Sequence, residues 1–382
     1  MKVKLGLLSP LQGSFLLVLC FTFFSLHSIE TLAFAGRVSL AVSVLGIATL
    51  GTLFLYRDRK LPKYLVCLIF VSVAISLMYT TSFFNIYGWQ KSVFRGVQVA
   101  VTVAVLLCAF LYGKTPQALF NKCLFWVASF SFIILVVLEF FGGAGFQNPN
   151  SLGMAGYVLF SFFMFSGRGG FWGWILGLCA IGHIVLSGSR ASLLATLAFV
   201  ITYWAIPFLR RNKNIYIFYL LAFLSLGFFA VLFITGIAAE DWMIAIDGLS
   251  QKYFNKRIES GRNEIWAHVM GLIGEKLFFG WGGGVELSDL SNWKYSVHNL
   301  YLQVLLQVGL VGLLGIILLI FIVWYGLFEV AEDAFGRVAI SSFLGLLALQ
   351  FFEISLFQNN LALSLPIMVL VGLAMAKKTT PV

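Results

Sequence analysis

The sequence predicts an all-α polytopic membrane protein of about twelve transmembrane helices, with one large and mostly helical outer loop between the ninth and tenth spans. Three observations carry this. Sixty per cent of the 382 residues are hydrophobic and only 10% are charged, with a mean hydropathy of +0.97, which a soluble domain of this size does not tolerate. The apolar runs are about 17 to 25 residues long, enough to cross roughly 30 Å of hydrocarbon at 1.5 Å per residue. Period-two alternation is missing, so the spans are helices and not barrel strands.

Apolar runs and their polar interruptions place spans at 9–28, 32–56, 62–81, 88–112, 118–141, 150–166, 171–188, 190–208, 214–236, 298–327, 336–354 and 359–376. The connections around Arg168 and around Ser187-Gly188-Ser189-Arg190 are very short. No repeat or linker divides the chain, so 1–382 reads as a single membrane domain with residues 236–297 inserted as the outer loop. Abundant glycine, 37 residues against 7 prolines, suits helices packed closely in lipid.

The basic residues orient this map. With the N-terminus inside, fifteen Lys and Arg fall in inner loops and span ends, and only Arg37, Lys91, Arg95 and Arg190 in the short outer ones. The excess puts both termini in the cytoplasm and the polar loop outside. The net charge of +10 is then a topology signal and needs no nucleic-acid partner. Ala33-Phe34-Ala35 has the form of a signal-peptide cleavage site, but the preceding run is longer than such signals and another span follows at once, so the first span is expected to be retained. Cys20, Cys67, Cys108, Cys123 and Cys179 all lie in apolar runs without Cys-x-x-Cys spacing, as small packing residues do.

In the outer loop, Ile265, Trp266, Val269, Met270, Ile273 and Leu277 recur at helical spacing. They predict an amphipathic helix lying on the membrane surface, apolar side down, with Arg262 in its first turn, Gly261 as a cap and the glycines from Gly280 ending it.

Arg37, Lys91, Arg95 and Arg190 stand out because a charge near the bilayer is costly without a partner. Outside the large loop, outer acids are few, namely Glu30, Glu139 and Glu353. An uncompensated basic cluster there invites an anionic ligand, and the guanidinium fork matches phosphate oxygens. Snorkelling to lipid phosphates is the competing role for Arg37 and Lys91, which makes membrane lipids partners too. His298 opens the tenth span, and nearby arginines would favour the neutral imidazole that a general base requires. Asp-x-Asp and His-x-x-x-His spacings are missing from the outer loop, so no metal ligands are expected and a phosphate leaving group must be met by Arg and Lys. Gly-x-Ser-x-Gly is also missing, which argues against a serine hydrolase.

Four motifs then converge. Leu186-Ser187-Gly188-Ser189-Arg190, Gly261-Arg262-Asn263-Glu264-Ile265-Trp266, Phe279-Gly280-Trp281-Gly282, and His298-Asn299-Leu300-Tyr301-Leu302-Gln303 with Gln307-x-Gly309-Leu310-x-Gly312 resemble, in this order, those of the O-antigen ligase and polymerase superfamily. The resemblance covers about residues 145 to 325 and implies a bacterial inner-membrane glycosyltransferase. It would transfer an undecaprenyl-diphosphate-linked glycan at the periplasmic face to lipid A core, or, in a polymerase, to a second lipid-linked glycan. By position, Arg190 and Arg262 would bind the diphosphate and His298 would activate the acceptor. Arg37, Lys91, Arg95, Asn299, Tyr301 and Trp266 would complete the substrate site, and no cofactor is implied. Many relatives carry Glu where this chain has Gln307, and Asn148-Pro149-Asn150 also recurs in them, read here first as a turn and helix cap. Short outer connections other than the one large loop favour the ligase. A lipid-linked glycan flippase or other transporter would instead show midplane charges and internal repeats.

Overall fold

The computed structural model describes residues 61–81, 89–112, 125–126, 128–134, 136–137, 149–167, 170–237, 248, 252, 261–293, 295–358 and 361–376. The expected spans 9–28 and 32–56, most of 118–141, Arg37, Arg168 and most of the first half of the outer loop lie outside these residues. The described residues form eleven helices and no strand. They are α1 (Lys63–Thr81), α2 (Trp89–Tyr112), α3 (Pro149–Ser166), α4 (Phe171–Ser187), α5 (Arg190–Leu209), α6 (Lys213–Ile237), α7 (Arg262–Glu275), α8 (Leu287–Leu290), α9 (Leu300–Phe328), α10 (Ala334–Leu349) and α11 (Leu361–Ala376). Among them α1, α2, α5, α6 and α9 are long and apolar enough to cross a membrane, while α3, α4, α10 and α11 hold shorter apolar stretches. Large apolar side chains such as Phe70, Trp172, Trp204 and Phe218 point outward, which suits a bundle solvated by lipid.

Packing is close because small residues let backbones approach, the means by which helices associate without a hydrophobic drive. A Cβ on Gly372 of α11 would lie 2.3 Å from the Leu106 carbonyl oxygen of α2, and one on Gly345 of α10 would lie 2.6 Å from the Ala195 carbonyl oxygen of α5. Tyr157 of α3 is buried and donates to the Ser342 carbonyl of α10 at 2.8 Å. On the other side, Tyr216 of α6 stacks on Trp324 of α9 with centroids 4.4 Å apart.

The Ser-Gly-Ser-Arg motif is a helix-to-helix turn. Gly188 takes the left-handed conformation, φ 65°, and its N–H meets the Val185 carbonyl; Ser189 caps α5, its Oγ accepting from Ser192 N. Both devices satisfy groups that helix ends leave open. The turn rests on α3, where a Cβ on Gly153 would come 2.2 Å from Ser189 Cβ.

The glycines around 280 and 309 belong to one device. At Gly309 α9 is interrupted, φ 67° and ψ −165°, which frees carbonyls and N–H groups inside an apolar bundle. The segment after α7 supplies their partners: Trp281 N and Gly282 N donate to the Leu306 and Gln307 carbonyls, both at 2.8 Å, while Leu310 N and Val311 N donate to the Leu277 and Phe278 carbonyls at 2.8 and 3.2 Å. A broken helix is tolerated at membrane depth when protein satisfies it in this way. A Cβ on Gly280 would lie 2.5 Å from the Gln307 carbonyl oxygen, and one on Gly309 2.3 Å from that of Phe278.

Helix α7 departs from the expectation of a surface-lying amphipath. Its apolar side is covered by protein, with Trp266 and Val269 fully buried and Ile265 and Ile273 nearly so. The side chains packed beneath it come from α6 and α9. The period-3.6 pattern specifies a buried face, and here α9 and not lipid is what buries it.

Candidate active site

The last residues before α9 and the polar break after α10 are stitched together. Leu300 N donates to the Gln350 carbonyl at 2.9 Å, Asn299 Nδ2 to the Phe351 carbonyl at 3.0 Å, and the Tyr301 ring packs on Phe351 with centroids 4.6 Å apart. Asn299 also caps α9, its Oδ1 accepting from Leu302 N at 3.0 Å. Fully buried Gln350 holds the break in shape, its Oε1 accepting from Ser355 N and Leu356 N, each at 2.9 Å. These contacts fix where His298 and Glu353 stand relative to one another.

Glu353, only 6% exposed, is the centre of the site. Its Oε1 accepts from Asn150 Nδ2 at 2.7 Å and from an Arg262 guanidinium nitrogen at 3.2 Å; its Oε2 lies 3.3 Å from His298 Nδ1. An ion-paired carboxylate only accepts, so Nδ1 carries the hydrogen, and in the neutral imidazole Nε2 is then the nitrogen with the lone pair. His298 is also the only positive-φ residue other than glycine among the described residues, φ 50°. Strain of this kind persists where surrounding contacts over-determine the backbone, and it concentrates at functional positions.

Arg262 reaches the site because Trp266, one turn along α7, is pinned. The indole Nε1 donates to the Val297 carbonyl at 2.8 Å, next to His298. The Arg262 guanidinium lies 5.7 Å from the Phe352 ring centre. Burial pushes its pKa below the ordinary arginine value; Glu353 opposes that shift and the charge of Arg190 adds to it. Arg190 therefore acts on Arg262 from the first residue of α5, where it is exposed. An anion beside both guanidinium groups would offset the desolvation of Arg262 and the repulsion from Arg190.

Of the residues expected in the site, Arg262 and His298 share Glu353, and Arg190 lies near enough for its charge to act on Arg262; Arg190 opens α5 at the end opposite Arg210, which terminates that helix and pairs with Glu332 at 3.8 Å. Trp266, Asn299 and Tyr301 are buried, and their polar atoms bond to main chain. Through these bonds they hold the segments that carry Arg262 and His298. Lys91 and Arg95 stand at a neighbouring cleft and are not the uncompensated cations expected: Lys91 lies 3.7 Å from Glu286 and 3.5 Å from Asp289, and Arg95 lies 3.3 Å from Glu286. Gln307 is structural, donating to the Val285 carbonyl at 2.9 Å and accepting from Gln358 at 2.7 Å. Among the described residues no three of His, Cys, Asp and Glu converge as metal ligands would.

Sequence reasoning did not assign Glu353 or Asn150 to the site. The available signal was the cost of a carboxylate inside an apolar stretch, which must be met by a partner.

Residues 175–317 match the family model described as O-Antigen ligase. This segment is similar to O-antigen ligases. It contains Arg190, Arg262 and His298, whereas Glu353, Asn150, Lys91 and Arg95 come from outside it. The resemblance to the O-antigen ligase and polymerase superfamily therefore rests on the segment that holds the cationic and imidazole groups. No curated protein matches the chain.

Proposed function

We propose that this protein is an inner-membrane glycosyltransferase of the O-antigen ligase type, moving a glycan from undecaprenyl diphosphate to a hydroxyl of lipid A core at the periplasmic face. The observation that carries the reading is Glu353 bridging Arg262 and His298 within the field of Arg190. His298 Nε2 takes the proton of the acceptor hydroxyl, and that oxygen attacks the anomeric carbon of the donor. The bond from that carbon to the phosphate oxygen breaks, its electron pair stays on the diphosphate, and the developing charge falls toward Arg190 and Arg262. Glu353 holds the imidazole in the base tautomer and stabilises the imidazolium once it forms, the part a carboxylate plays in a hydrolase triad. One displacement inverts the anomeric configuration, and the arginines take the place a divalent cation would occupy.

The test is transfer by purified protein in lipid nanodiscs, without any gradient, from an undecaprenyl-diphosphate-linked glycan. His298→Ala should abolish it and Arg190→Ala should lower it about a hundredfold or more. Full transfer by either variant rules the mechanism out, and dependence on a gradient would support a flippase. A polymerase of the same superfamily would use this site with a second lipid-linked glycan as acceptor. Deletion separates the two, since loss of a ligase leaves unattached lipid-linked polymer and loss of a polymerase leaves single repeats.

A further inference from the structure

Beside the Glu353 centre lies a cleft of about 250 Å³ whose walls include Arg95, Glu286, Tyr295, Ser296, Gln303 and Gln358. We propose that this cleft holds a sugar ring of the acceptor glycan next to the hydroxyl that reacts; the proposal rests on His298 being the base.

Charge argues for a sugar over a second phosphate. Arg95, the cation in the cleft wall, is matched by Glu286 in the same wall, and Lys91 behind it by Glu286 and Asp289, so a phosphate would meet a carboxylate as well as a cation. What the walls offer is a mixture of donors and acceptors of both kinds, the complement of a ring of hydroxyls. Gln358 is only 1% exposed; its Nε2 donates to Tyr79 Oη at 2.9 Å and to Gln307 Oε1 at 2.7 Å, while its Oε1 has no protein partner. Because Gln307 donates through its own Nε2 to the Val285 carbonyl, its Oε1 must accept, which fixes the Gln358 amide and leaves a buried acceptor on a residue that lines the cleft. Tyr295, 64% exposed, adds an aromatic face against which the C–H face of a pyranose packs.

Connectivity puts such a sugar at the base. Ser296 lines the cleft, and its Oγ accepts from the His298 N–H at 3.4 Å. Gln303 lines it from the first turn of α9, directly after the His298-Asn299 corner, and donates to the Val285 carbonyl at 3.1 Å. His298 thus links the two halves, its ring facing the carboxylate shared with Arg262 and its N–H donating to Ser296 of the cleft wall.

The experiment uses the full chain in nanodiscs with two probes. Methyl glycosides of glucose, galactose and N-acetylglucosamine are followed by saturation-transfer NMR, and undecaprenyl diphosphate is titrated separately. At least one glycoside should receive saturation from the unaltered protein. Tyr295→Ala and Glu286→Gln should each weaken that binding about tenfold and raise the acceptor KM to match, with donor KM unchanged. Retained undecaprenyl diphosphate binding shows that the variants are folded. Saturation of none of the glycosides, equal binding by both variants, or weakening of undecaprenyl diphosphate in its place overturns the proposal. The mechanism fails separately: if Arg190→Ala transfers glycan normally while glycoside binding behaves as expected, the sugar site stands and the catalytic assignment falls.

Discussion

Replacing Glu353 with glutamine keeps the shape of the central residue and removes its charge. Oε1 receives two hydrogen bonds, from Asn150 and Arg262, and Oε2 faces one ring nitrogen. The new amide will therefore keep its oxygen toward Asn150 and Arg262 and turn its NH₂ toward His298. Two donors then face each other across 3.3 Å, and the imidazole escapes by moving its proton to Nε2, where it blocks the lone pair needed for catalysis. Loss of a base in this way lowers turnover by about a hundredfold to ten-thousandfold. Arg262 loses its counter-charge as well. Because a fifth of its side chain is exposed, the stability cost is set near 2 kcal/mol, about half of what a fully buried pair loses. The assay is steady-state transfer with donor and acceptor varied separately, alongside a melting curve for the nanodisc protein. The expected result is a collapse of kcat with a modest fall in Tm and little change in acceptor KM. A Glu353→Gln protein that turns over within a fewfold of the original would refute the coupling of Glu353 to His298.

Other outcomes follow from the same geometry. Arg190→Ala should lower transfer about a hundredfold or more, as loss of one donor to a developing oxyanion does, with Arg190→Lys recovering part of it; equal rates in all three proteins would remove Arg190 from the site. Arg262→Lys should work at neutral pH and lose donor affinity as pH rises. Burial and the Arg190 charge disfavour the cationic form at this position, and a lysine, with an ordinary pKa of about 10.4, discharges in the accessible range where arginine does not. A donor KM flat with pH in that variant contradicts this. Since His298 sits at φ 50°, His298→Gly should melt above His298→Ala by about 1 kcal/mol although both lack the ring; the reverse order would show that no strain is held there. Trp266→Phe, which removes the bond to the Val297 carbonyl, should reduce stability by about 1 kcal/mol and lower kcat more than donor KM.

Much of the site was legible in sequence because its cations and imidazole sit in local motifs whose backbone reasons are also local. Gly188 and Ser189 make the turn that starts α5 at Arg190, and Trp266 lies one turn from Arg262 on the same side of α7. Glu353 was visible only as one of three outer acids. Nothing near it in the chain distinguishes it from Glu30 or Glu139, and its partner His298 is 55 residues away. Glu286 and Asp289 were passed over for a similar reason. They neutralise Lys91 and Arg95 across the gap between α8 and α2, so the expected basic field is a balanced cleft. Asn299, Tyr301 and Trp266 carry polar groups that suit a ligand, yet each spends them on main chain once buried.

What the sequence determined by itself was the solvent of the protein and the kinds of group at its working end. Hydropathy over a span length depends on composition alone, and turn and cap residues act on their own neighbours. The tertiary structure decided which charges are compensated. Coulomb attraction and desolvation depend on distance and burial, and for Glu353 both are set by where the entry to α9 meets the break after α10.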